Sequence, residues 1–369
     1  MKAALISLGS VSSKWIAKAM RKYFDKVDEI DLKGIEMTLT SKKLEILYNG
    51  KPMEKYDCIF ARGSYKYESL LRSITVALYD TTYMPIQPVS FSLGHDKLLT
   101  QLELQKHNIP MPKTYLAATP EAGKAVLEEV NYPIIMKFPS GTGGKGVMYA
   151  ESFAAAASIL DALTALNQPF LIQEYIETDG VDTRVIVAGD KIIAAMKRKA
   201  KTGEKRANVH SGGEGETCVL DTHTKKIAIE TTKIIGAEIC AVDILEGIKG
   251  PMVIEVNLSP GLQGVTKATK IDVADKMAKY LYKRTKELTD KGKKKEASNI
   301  LDDLDLIRAD KLKEIITPLD FRGNRILLPE LVTNVGKFDD NDEVIINIDK
   351  GNLCMKKSDI GTGKKKDDD

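Results

Sequence analysis

Apolar and polar positions along this chain repeat with two different periods, and the switches between them outline its elements. Residues 3–8 form a short continuous apolar run that stops at Gly9, the pattern of a buried strand. Over residues 13–24 the apolar side chains of Trp15, Ile16, Ala19, Met20 and Tyr23 fall at helical spacing, and residues 27–32 and 56–61 return to strand-like runs. Residues 44–48 followed by Asn49-Gly50 read as a strand closing on a turn. This strand–helix–strand rhythm predicts a small parallel α/β domain over residues 1–90.

Beyond residue 90 the pattern changes to α+β. Asp96 stands where a side chain caps a helix running to about residue 107, which Pro110 and Pro112 end. Strand-like runs at 133–138 and 146–149 flank a glycine loop, and an alanine-rich helical stretch covers 152–166. Further strands at 170–173, 183–187, 191–196, 238–245 and 251–256 suggest a domain built on hairpins over residues 91–288. The lysine run at 291–296 predicts a solvated linker over 289–299. A small β-rich domain over 300–358 and a charged, disordered tail over 359–369 complete the outline.

Composition agrees with several domains, since 369 residues exceed one ordinary core. A hydrophobic fraction of 43% with 29% charged residues is ordinary for a soluble globular enzyme. The formal charge of +3 gives no case for a nucleic-acid or membrane partner. Cys58, Cys218, Cys240 and Cys354 stand far apart, which argues against a zinc site or disulfide framework and fits a reducing compartment. With neither a signal segment nor a long apolar span, the expected location is the cytoplasm.

Candidate chemistry gathers between Lys137 and Gly261. Gly141, Gly143, Gly144 and Gly146 satisfy G-x-G-x-x-G by letter, yet a strand follows where a dinucleotide fold needs a helix, and Lys145 is not followed by Ser or Thr as in a Walker A loop. A glycine loop between antiparallel strands can close over a triphosphate; it can equally be a surface hairpin. Lys137 interrupts an apolar strand, as a phosphate-neutralising ammonium or as an edge-strand lysine. Asp243, Glu255 and Asn257 belong to one hairpin. With a five-residue turn, Asp243 opposes Val253 and lies diagonal to Glu255 and on its face, a set suited to a hard cation or to a solvated polar face.

The order of Asp96-Lys97-Leu98, the lysine and glycine flap at 137–146, Leu171-Ile-Gln-Glu-Tyr-Ile176, Asp182-Thr-Arg184, Arg206-Ala-Asn208, Val242-Asp243 and Glu255-Val-Asn-Leu-Ser-Pro-Gly-Leu262 resembles the ATP-grasp superfamily, and within it the RimK-type glutamate ligases. The likeness spans roughly residues 1–285 and includes the run from Phe60 to Gly63. It implies a pre-ATP-grasp α/β domain followed by an ATP-grasp fold. It implies ATP contacts from Lys97, Lys137, the flap glycines Gly143, Gly144 and Gly146, the adenine hinge at Glu174 and Tyr175, Asp182 near the ribose, and Arg206, Ala207 and Asn208. It implies two Mg²⁺ or Mn²⁺ ions on Asp243, Glu255 and Asn257. Arg184, Arg198 and Asn208 become the catalytic candidates, the two arginines holding a substrate carboxylate or the acyl-phosphate.

Two positions depart from the family pattern. Lys199 stands where a second arginine is expected, and Ala207 where serine is expected, which bears on substrate choice more than on ATP use. The implied reaction is ATP-dependent amide formation through an acyl-phosphate, with an amino acid, glutamate by resemblance, as the amine and a protein C-terminus or small molecule as the carboxylate. Alternatives are a ligase for another amino acid on a metabolite or carrier protein, and a nucleotide-binding regulator. His210 fits either a site or a local structural role. Residues 315–352 resemble an AbrB-like hairpin domain, which implies a homo-oligomer.

Overall fold

The computed structural model describes residues 1–141, 146–200, 214–303, 320–323, 325–339, 342–350 and 352–357. It divides into two compact units, Met1–Glu296 and Ala297–Asp369.

The first unit opens with β1 (Lys2–Ser7), α1 (Val11–Met20) and β2 (Lys26–Asp31), followed by a meander of β3 (Ile35–Leu39), β4 (Leu44–Tyr48) and β5 (Lys51–Pro52), then β6 (Cys58–Ala61). Strand β1 lies between β2 and β6 and is parallel to both, so the expected parallel sheet is present. Helix α1 begins two residues earlier than the spacing suggests, because the Ser10 side chain accepts from the Ser13 amide and caps it. Ile16 and Met20 turn inward, whereas Trp15 stays 38% exposed. Helices α2 (Glu68–Leu78) and α3 (Pro88–His95) were not foreseen; α4 (Lys97–Lys106) was, and Asp96 caps it by accepting from the Leu98 and Leu99 amides.

Two antiparallel sheets make up the rest of this unit. The smaller joins β7 (Thr114–Tyr115), β8 (Ile134–Lys137), β9 (Val147–Ala150) and β10 (Leu171–Glu174) in the order β7-β10-β8-β9. With α5 (Pro120–Glu129) and α6 (Phe153–Ala165) it encloses a small core of its own around Leu127, Met136, Leu160 and Ile172. The larger contains β11 (Val181–Ala188), β12 (Lys191–Lys199), β13 (Glu214–Thr217), β14 (Ile239–Gly247) and β15 (Gly250–Asn257) in the order β13-β12-β11-β14-β15. Its apolar residues share one continuous core with the first parallel sheet, α7 (Thr222–Ile235), α8 (Gln263–Thr269) and the start of α9 (Val273–Asp303). Residues 289–299, expected as a linker, are helical within α9.

The second unit contains the hairpins β16 (Asp320–Arg322) with β17 (Arg325–Leu327) and β18 (Val344–Asp349) with β19 (Asn352–Lys357), and between them α10 (Glu330–Gly336). Its strands carry apolar side chains in the open: Phe321, Ile346, Ile348 and Leu353 are between 49% and 77% exposed.

Candidate active site

The larger sheet sets out a row of charged side chains by its register alone. Asp182 pairs with Arg198 across β11 and β12, and Arg184 pairs with Asp243 across β11 and β14. Asp243 in turn faces Glu255 on β15. This corrects the expected opposition to Val253. The hairpin tip is a two-residue loop between Gly247 and Gly250, and a bulge between Asp243 and Ile244 shifts the later pairs by one residue. Asp243, Glu255 and Asn257 still share a face, since Glu255 and Asn257 are two apart.

Four of these groups form a buried quartet. Arg184 donates from Nε and Nη2 to the two carboxylate oxygens of Asp243 at 2.8 and 2.7 Å. Arg198 makes the same fork onto Asp182 and also reaches Asp243 at 2.9 Å. Burial alone would push the Asp243 carboxyl up, but Arg184 and Arg198 outweigh it and hold the group well below the usual carboxylate range. For Asp182 burial prevails over the pull of Arg198 and the shift is upward, while the two-point geometry is that of a carboxylate accepting from a guanidinium. Both arginines expected to hold a substrate carboxylate are therefore committed to internal carboxylates.

The smaller sheet brings in the lysines. Lys137 ends β8 almost fully buried and donates to Gln173 Oε1 at 2.8 Å, and Gln173 is fixed by donating to Thr114 at 2.6 Å. Burial and then the neighbouring charge of Lys97 lower the Lys137 ammonium to about 8, with Glu255 opposing them. Lys97, at the start of α4, donates from Nζ to the Gly141 carbonyl at 3.2 Å, so two cations meet at the foot of the flap. Gly146 at the other foot has φ +77°, and a Cβ there would stand 2.2 Å from the Phe138 ring. Gly143 and Gly144 of the flap, and Arg206, Ala207, Asn208 and His210, lie outside the described residues.

Between the two sheets is a cavity of about 700 Å³, within the range of roughly 300–1,000 Å³ usual for ligand sites. Lys97, Lys137, Glu174, Tyr175 and Asp182 line it, as do Arg184, Arg198, Asp243, Glu255 and Asn257. Ile135 and Val147 on one side and Leu245 and Ile254 on the other give it apolar walls of the kind a flat heterocycle needs. Glu174 exchanges bonds with Lys113 through both backbone and side chain, which fixes the segment leading to Tyr175. The donor set also suits magnesium. Among the described residues no group of three or more His, Cys, Asp or Glu side chains could hold a metal. One carboxylate and an amide, Glu255 and Asn257, supplemented by phosphate oxygens and water, match the way magnesium is usually held beside a nucleotide.

A third wall comes from the α1 end and the strand β6 of the parallel sheet and carries residues that the motif reading left without a role. Ser10 and Ser13 of α1, and Arg62, Gly63 and Ser64 after β6, line the same cavity. They are tied to the loop after β15: Arg62 donates to the Pro260 carbonyl at 2.6 Å, and the Gly63 amide donates to Ser259 Oγ at 3.0 Å. Ser12 both donates to Gln263 and accepts from the Leu262 amide. One signal for Arg62 was in the sequence: a charged residue directly after an apolar parallel strand, at the carboxyl edge where open α/β sheets bind ligands.

Fold and site thus define a protein with a ligand-sized, cation-lined cavity between two antiparallel sheets. Residues 94–281 match the model of the RimK-like ATP-grasp domain. A protein of Marinomonas sp. (strain MWYL1) named probable alpha-L-glutamate ligase is 35% identical over 297 residues, covering 77% of this chain and 96% of its own length. One of the same name from Vibrio vulnificus (strain YJ016) is 36% identical over 273 residues, covering 71% and 88%. Among solved structures, a RimK domain ATP-grasp protein from Sphaerobacter thermophilus superposes with a TM-score of 0.60 at 20% identity, over 76% of this chain and 99% of that one. The ATP-grasp ligase PsnB, solved with minimal precursor, Mg and ADP, gives 0.61 at 18%, over 77% and 98%. The chain belongs to the RimK-like ATP-grasp family, and it is an ATP-dependent carboxylate–amine ligase.

Proposed function

We propose that the protein joins the α-amine of L-glutamate to the carboxylate of a protein C-terminus or a small molecule, in the cytoplasm and with Mg²⁺ or Mn²⁺. The single observation that carries this reading is the convergence of Lys97, Lys137, Glu255 and Asn257 on one cavity, in a chain about 35% identical to proteins named for glutamate ligation. Lys97 and Lys137 neutralise the phosphates of ATP, and the apolar walls hold the adenine beside Glu174 and Tyr175. Glu255 and Asn257 would hold the metal, with Asp243 beside them, and a second ion would draw further ligands from phosphate. The metal offsets phosphate charge.

The γ-phosphoryl group passes to an oxygen of the acceptor carboxylate, giving ADP and an acyl-phosphate. The amine lone pair then attacks the carbonyl carbon, the C–N bond forms, and phosphate leaves with the electron pair of the broken C–O bond while the amine proton passes to solvent. Such chemistry needs positioning and charge stabilisation and no nucleophilic side chain. Asp182 and Arg198 act here by fixing Arg184 and Asp243. In the second unit, the exposed apolar strands favour association with another copy of the chain, a homo-oligomer. That the described residues include no helix long and apolar enough to cross a membrane, and that all four cysteines are free, supports the cytoplasmic assignment.

The test is ADP release with Mg-ATP across a panel of amino acids and carboxylate acceptors, with mass spectrometry of the products. Glutamate-dependent release and a new glutamyl adduct, both lost in Glu255→Gln, are expected. Ligation of a different amino acid retains the reaction and refutes glutamate; nucleotide binding with no ligation under any pairing refutes the reading.

A further inference from the structure

Arg62 brings to the cavity a cation that the steps above do not use. It is 3% exposed, and its Nε and Nη1 are buried without a hydrogen-bond partner. Burial lowers its proton affinity, to about 10, with no carboxylate opposing the effect. A desolvated guanidinium with idle donors is costly unless an anion accepts from it. Among the described residues, the other guanidiniums on this cavity, Arg184 and Arg198, already have carboxylates. Beside Arg62 the first turn of α1 faces the cavity through Ser10 and Ser13 and carries no acidic residue, so the positive end of a ten-residue helix is uncompensated.

We infer that Arg62, with the first turn of α1 and Ser64, is the subsite for a carboxylate that does not react, namely one belonging to the incoming amino acid. This rests on the ligation proposed above and adds the residue that selects the amine substrate. In that reaction the acceptor's carboxylate is consumed at the phosphate end, beside Lys97 and Lys137. The amino acid reacts through nitrogen, so its own carboxylates persist unchanged through both steps and need a cation away from the metal. The tie from Arg62 to Pro260 sets this cation beside the loop that follows Glu255 and Asn257.

The experiment compares full-length wild type with Arg62→Gln and Arg62→Lys, using an acceptor drawn from the carboxylate panel above and either L-glutamate or hydroxylamine as amine. Arg62→Gln raises the KM for L-glutamate roughly 10–100-fold, the loss expected for a charge-assisted pair. The hydroxylamine reaction, whose amine has no carboxylate, falls far less, by the share that losing the bond to the Pro260 carbonyl costs both amines alike. Arg62→Lys falls between, since a point charge replaces a fork. Calorimetric titration of L-glutamate into each protein with Mg-ADP present reads the subsite independently of turnover and of the acceptor. An unchanged KM and affinity for L-glutamate in Arg62→Gln overturns the assignment, as does an equal loss with hydroxylamine in both variants. A wild type that binds L-glutamate through Arg62 yet ligates neither amine to any acceptor of the panel supports the subsite and refutes the ligation reading instead.

Discussion

Lys137 shows what it means to place an ammonium in a dry wall. Its proton is held to about 8 in the folded protein against 10.5 when exposed. Between those values the unfolded chain keeps a proton that the native state has shed, so this group's contribution to stability rises with pH across that window; below about 8 the burial cost is present in full. Phosphate beside the ammonium favours its protonated form. ATP binding at pH 8–9 should therefore take up a proton and weaken as pH rises further, which calorimetry in buffers of different ionisation enthalpy detects, and Lys137→Met should remove the uptake. The quartet behaves differently, because its charges answer one another. Arg184→Gln leaves Asp243 with one guanidinium and should cost about 3–5 kcal/mol in denaturant unfolding, the usual penalty for breaking a buried pair. Glu255→Gln, which disturbs no such pair among the described residues, should abolish turnover with a stability change of under about 1 kcal/mol.

At the scale of elements the flap depends on its foot. The Phe138 amide donates to the Gly146 carbonyl at 3.2 Å, and Gly146 takes a conformation that other residues rarely adopt. Gly146→Ala should displace Phe138 and misdirect the flap, raising the KM for ATP about 10-fold while the melting transition of the larger sheet shifts little. Strands such as β1, β8 and β15 were legible because continuous or alternating apolar runs declare themselves, and Asp96 announced α4 by its capping chemistry. The register of β14 against β15 was not legible. The bulge after Asp243 changes which residues face one another without leaving a compositional mark, and the bonds among Asp182, Arg184, Arg198 and Asp243 follow from two further registers, β11 against β12 and β11 against β14, between strands that the sequence does not align. Helix α3, with Gly94 in its last turn and little amphipathic contrast, gives no periodic signal, yet Gly94 lies so close to Leu258 that a Cβ would stand 2.8 Å from its side chain.

For the whole molecule, both cores and the cavity lining found among the described residues fall within the first 296. A chain ending at Asp303 should keep amine-dependent ADP release and lose self-association, which analytical ultracentrifugation of the full and shortened proteins distinguishes. The parallel sheet and α1 are another matter. Their four bonds to the loop after β15, made by Ser12, Arg62 and Gly63, join one cavity wall to the exit of the strand that carries Glu255 and Asn257. Residues 259–263 and the segments around Ser12 and Arg62 should therefore be exchanged together. A chimera that imports a relative's amino-terminal domain with its own matching loop should transfer amino-acid preference, whereas the same graft without those five residues should yield a folded but catalytically mismatched hybrid.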